Sequence, residues 1–172
     1  MSELYEKSLL KLELDRVLEQ LAERAGSEMG KIACRNLRPT SDLEEVQALL
    51  DQTGAACDLS TKKGYPHFYD AQDVSFSLER ADMGGALNPK ELLRIAGTLR
   101  CARTVKGYTA EDEAATVLDG MFMSLTPNKY LEDKIFGAIL SEEEIADNAS
   151  PALADIRRHM RIQAGKIRDS LQ

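Results

Sequence analysis

Three times this chain sets a short polar residue directly before a proline, at Asn88-Pro89, Thr126-Pro127 and Ser150-Pro151. A Ser, Thr or Asn oxygen can accept from a free N–H at the start of a helix. Proline suits the next position, where its missing N–H has no partner to lose. The pattern predicts three helix starts. Behind Asn88, apolar residues recur at Leu92, Ile95, Leu99 and Ala102 or Arg103, and Glu91 completes a capping box. Behind Ser150 they recur at Leu153, Ile156, Met160, Ala164, Ile167 and Leu171, a narrow heptad-like seam.

The same spacing runs through the rest of the chain. Leu10, Leu14, Val17, Leu18, Leu21 and Ala25 mark one helical face. Gly26 ends that helix and Ser27 caps the next. Ser41 or Asp42 caps a longer one, whose expected buried side is Leu43, Val46, Leu50, Thr53 or Gly54, Cys57 and Leu59. Gly54 inside it suggests a close helix contact or a slight bend. "GYPHFYDAQD" reads as a surface loop, and "VSFSLERADM" as a short helix stopped by Gly84-Gly85. "TAEDEAATVLDGMFMSL" and "TPNKYLEDKIFGAIL" are two further helical segments. "SEEEIADNAS" is an acidic connection with a short extended piece at Ile145. Trp is absent and aromatics are 5%, so Leu, Ile, Val, Met and Ala must build the core, which favours helix packing over a sheet. The expectation is an all-α fold: a multi-helix core over 1–150, then a long helix over 151–172, about 33 Å in length.

Charge divides at the same place. Residues 151–172 hold five Lys/Arg against two acids, and 1–150 hold seventeen against twenty-seven. The body repels nucleic acid and only the last helix could attract it. Arg157, Arg158, Arg161 and Arg168 are its candidate contacts to nucleic acid or to an acidic partner, with flanking charge along a coiled coil as the competing role.

Catalytic constellations are missing. There is no GxxxxGK[ST]; "GSEMGK" at 26–31 is one residue short, lacks the Ser or Thr after Lys31, and reads as a helix junction. The three cysteines, Cys34, Cys57 and Cys101, are widely spaced with no CxxC, which argues for reduced thiols in a cytoplasmic protein. Acidic runs at Glu111–Glu113 and Glu142–Glu144 read as solvated surface. His67, near Tyr65, Tyr69 and Asp70, could form a small polar site; a hydrogen-bonded loop histidine is the plainer role. No apolar run approaches the roughly 20 residues of a membrane span, and the first residues do not form a signal peptide.

Four ordered blocks carry a family resemblance. "LELDRVLEQLAERAGSEMGK" (12–31), "LRPTSDLEEVQALLDQTGAA" (37–56), "RADMGGALNPKELLRIAGTLRCARTVKGY" (80–108) and "EEIADNASPALADIRRHMRI" (143–162) resemble the N-terminal region of the bacterial endonuclease MutS type two family. Gly54 stands where that family commonly has Glu, and Glu144 where it has a turn glycine.

The resemblance implies an N-terminal piece of the MutS core domain and the start of its lever helix, without the family's ATPase and Smr nuclease domains. It implies no catalytic, cofactor or metal residue in this stretch; ATP and magnesium would belong to the parent, a homodimer. The expected role is non-catalytic: coupling ATP-driven movement to a clamp on branched DNA or stalled ribosomes. Leu153, Ile156 and Met160 would pack the lever, and no membrane is involved. The cut tail helix could pair artificially. The alternative is a self-contained helical adaptor that dimerises through that helix.

Overall fold

The computed structural model describes residues 7–9, 11–108 and 115–171. Leu10, the acidic run Glu111–Glu113 and much of the segment that opens at Thr109 lie outside them. The fold is all-α. From Leu14 onward the helices are α1 (Leu14–Glu23), α2 (Glu28–Arg35), α3 (Leu43–Lys63), α4 (Ser75–Asp82), α5 (Pro89–Tyr108), α6 (Asp119–Ser124), α7 (Lys129–Ala138) and α8 (Pro151–Ser170). Among the described residues the β content is one isolated antiparallel bridge, Ile139 to Ile145, which places the expected extended piece.

Two of the three proline-marked starts form as read. Asn88 accepts from the Glu91 N–H at 3.0 Å, and the Glu91 carboxylate accepts from the Asn88 N–H at 2.8 Å, a complete capping box. Ser150 caps α8, with Pro151 at its first position. The third start is corrected. Asn128, not Thr126, caps α7, accepting from the Leu131 N–H at 3.0 Å. Asn is the stronger cap and wins two residues downstream, which leaves Pro127 outside the helix.

The residues cluster into two compact units. The first joins Met1–Asp73 to Thr98–Pro127. In it α1 and α2 meet across the "GSEMGK" junction, where the Ser27 hydroxyl accepts from the Gly30 N–H. A two-pronged pair of Arg35 with Glu19, at 2.7 and 2.8 Å, locks them. Tyr108 donates its hydroxyl to the carbonyls of Leu59 and Gly64, fastening the end of α3 to the end of α5. Lys106 donates to the Leu125 carbonyl at 2.8 Å. Leu59, Cys101, Val105 and Leu118 are buried here.

The expected buried side of α3 is corrected. Leu59 is buried and Val46 half-buried as expected, with Gln52 and Ala55 half-buried beside them, while Leu43, Leu50, Thr53, Gly54 and Cys57 are exposed. The helix is apolar on two sides, and the side that carries Leu59 is the one drawn to Tyr108 and α5.

The second unit joins Val74–Gly97 to Asn128–Gln172. Ile95, Ala96, Ile135, Ile139 and Ala146 are buried in it. The α4–α5 turn is built from its glycines. The Gly84 N–H donates to the Ala81 carbonyl, and the Gly85 N–H to the Arg80 carbonyl. This is a Schellman stop, with Gly84 at φ 83°. A Cβ on Gly85 would lie 2.8 Å from the Arg80 carbonyl oxygen, so the second glycine is required by close approach. Arg80 then pairs with Glu91, joining the stop of one helix to the start of the next.

Candidate functional site

The base of α8 is held by one carboxylate. The bridge at Ile145 and the hydrogen bond from the Ala146 N–H to the Ala138 carbonyl, 2.9 Å, fix the connection beside α7. Asp147 follows at once. Arg157, nearly two turns into α8, donates one Nη to Asp147 Oδ1 at 2.6 Å and to the Ile145 carbonyl at 2.7 Å. Arg161, one turn on, donates to Asp147 Oδ2 at 2.8 Å. Both oxygens are used, and the hydrogen bond from Arg157 holds the Asp147 carboxyl below the usual carboxylate range, with the Arg161 charge adding to it.

The four candidate arginines therefore divide. Arg157 and Arg161 spend donors on the protein itself. The Arg158 and Arg168 side chains are exposed and make no hydrogen bond or ion pair among the described residues. Of the three packing candidates, Leu153 is half-buried, while Ile156 is 57% and Met160 65% exposed. The seam continues outward, exposed, through Ile167 and Leu171. Asp147 was missed in the sequence because it sits ten residues from Arg157, in a segment that reads as solvated acid.

The His67 site does not assemble. His67 is exposed and meets Tyr69 edge-on, with ring centroids 5.8 Å apart. The Asp70 carboxylate is taken by Arg100 at 2.8 Å. The His67 carbonyl accepts from the Cys101 thiol at 3.4 Å, and burial pushes that thiol up. Beside this loop lies a mostly apolar cavity of about 540 Å³ lined by Tyr65, Pro66, Phe68, Tyr108 and Phe122 among others; His67 and Asp70 are not in its wall. Among the described residues no group of three or more His, Cys, Asp or Glu could hold a metal.

No family model matches the chain. Curated relatives do. It is 42% identical over 169 residues to endonuclease MutS2 of Ruminiclostridium cellulolyticum, 38% over 170 to that of Acetivibrio thermocellus, and 36% over 170 to that of Clostridioides difficile. Each match covers 96% of this chain. The chain is homologous to the N-terminal region of MutS2. It spans only 21–22% of the length of those MutS2 relatives. At 96% of the chain, the MutS2 match includes the α4–α5 turn, the Asp147 connection and the base of α8. Among the described residues no helix is long and apolar enough to cross a membrane.

Proposed function

We propose that this chain is a non-catalytic core and lever module of a MutS2-type protein, in which helix movement driven by ATP elsewhere reaches a clamp through α8. One observation carries the reading. Asp147 ties two successive turns of α8 to the connection at its base, while the remainder of the helix leaves its apolar seam open. A helix fixed at one end and unpartnered along its length moves as a rigid body with its base and offers contact surface further out. Arg158, Lys166 and Arg168 are exposed cations on it, of which the two arginines are our candidate contacts for nucleic acid or ribosomal RNA; Ile156 and Met160 are our candidate packing positions.

Two measurements test this. The purified chain should hydrolyse no ATP with magnesium; turnover that survives a changed purification scheme would refute it. In a whole MutS2 protein carrying these residues, Asp147→Ala should leave ATP hydrolysis near the parent rate while reducing its dependence on bound nucleic acid. Unchanged coupling would remove Asp147 from the lever. The adaptor reading rests on the same open seam, and light scattering of Ile156→Asp with Met160→Asp tests it.

A further inference from the structure

Two helices of this chain carry the same seam, half-buried at Val46 and Leu153 and exposed at its other positions. On α3, Leu43, Val46, Leu50, Gly54, Cys57 and Thr61 fall at spacings of three, four, four, three and four. On α8, Leu153, Ile156, Met160, Ala164, Ile167 and Leu171 repeat those spacings, with a small residue fourth in both. Leu43 is 79% exposed, and Leu50, Met160 and Ile167 are each at least 60% exposed. A Cβ added to Gly54 would meet no described atom within 4 Å, and an open groove of about 480 Å³ runs past it, with Leu50, Asp51 and Asp58 of α3 on one side and the chain's own Ala115, Thr116 and Val117 on the other. Glycine inside a helix costs about 1 kcal/mol against alanine, and no described residue uses the space it leaves.

The flanking charges are opposite. At 100° per residue, Glu44, Asp51 and Asp58 line one flank of the α3 seam at intervals of seven. The corresponding flank of α8 carries Arg161 and Arg168, also seven apart. When two helices face each other antiparallel, corresponding flanks meet. A register that pairs one arginine with one of these acids then pairs the second. Two copies of α8 fit each other poorly. Antiparallel, they set arginine against arginine; parallel, they set the arginines beside Gln163 and Ser170.

We infer that α8 of one copy docks antiparallel on α3 of a second copy. In the register with full overlap, Leu171 lies against Leu43, Met160 over Gly54, Arg168 beside Glu44 and Arg161 beside Asp51. Asp147 occupies one Nη of Arg161, and the other remains for Asp51. Asp51 accepts from Gln47 on Oδ1, which leaves Oδ2. The seam supplies the attraction and the charges select the partner helix and its direction.

Cysteine pairing between separately made chains tests this. In a Cys34→Ser, Cys57→Ser background, one chain carries Leu50→Cys and the other Ala164→Cys, both checked for helicity by circular dichroism. Mixed under mild oxidation they should give a disulfide-linked heterodimer as the main product. Glu44→Lys with Asp51→Lys in the first chain should weaken association about tenfold at low salt, and Arg161→Glu with Arg168→Glu in the second should restore it. Three results would overturn the inference: no crosslink in the mixture at high protein concentration, equal crosslinking of the Ala164→Cys chain with itself, or no effect of charge reversal on association. If the chain carrying both cysteines links only within itself, α8 meets α3 of its own copy and the inference also fails.

Discussion

Gly54→Ala isolates the cost of one residue because the structure leaves nothing else to change. Gly54 lies twelve residues into the 21-residue α3, is exposed, and has no atom within 4 Å of an added Cβ. No cavity is filled, no contact is lost, and no positive φ is found there. What remains is backbone entropy and helix propensity, worth about 0.8–1 kcal/mol in favour of alanine in a helix interior. For a chain of this size that raises the melting midpoint by about 2–4 °C. Urea unfolding followed at 222 nm should show a higher midpoint and an unchanged slope. A lower midpoint would refute the reasoning, since it would mean that another group already occupies the space beside Gly54 or that α3 is not regular there. The same methyl fills the place assigned to Met160 of a second copy, so Gly54→Ala should stabilise the chain and lower the yield of the mixed crosslink together.

Gly85→Ala should do the opposite, costing about 1–3 kcal/mol from crowding against the Arg80 carbonyl, and Gly84→Ala should cost about 1–2 kcal/mol for its left-handed backbone; equal stability to the parent in urea unfolding would disprove the turn. Asp147 has a lowered pKa in the folded chain, so its contribution is full above the unfolded value of about 4 and fades as pH falls through the lower folded value. Protection of the amides at the start of α8, measured against their intrinsic exchange rates, should fall across that acid window, and Asp147→Asn should show low protection already at neutral pH; an unchanged protection profile in both would count against the anchor. A thiol reagent should modify exposed Cys57 first, half-buried Cys34 next, and buried Cys101, whose thiol pKa is raised, only on unfolding; early loss of Cys101 would contradict its placement.

Local chemistry was readable wherever a few neighbouring residues decide the outcome. Asn88 with Glu91, Ser150 with Pro151, Ser27 and the Gly84-Gly85 stop all act within one helical turn, and their oxygens and φ angles leave few options. Even there Thr126 lost to Asn128, because two caps so close compete and the stronger one is chosen only when the helix packs. The all-α class and the α8 seam also follow from spacing alone. Tertiary structure decided which side of α3 goes inside, since apolar residues on two sides leave the sequence ambiguous until Leu59 meets Tyr108. It also divided the arginines of α8. Four arginines on one helix look alike in sequence, but the Ile139–Ile145 bridge brings Asp147 beneath Arg157 and Arg161 and leaves Arg158 and Arg168 to solvent. A spacing can define a helix; only the folding of distant segments onto it determines which of its charges are neutralised.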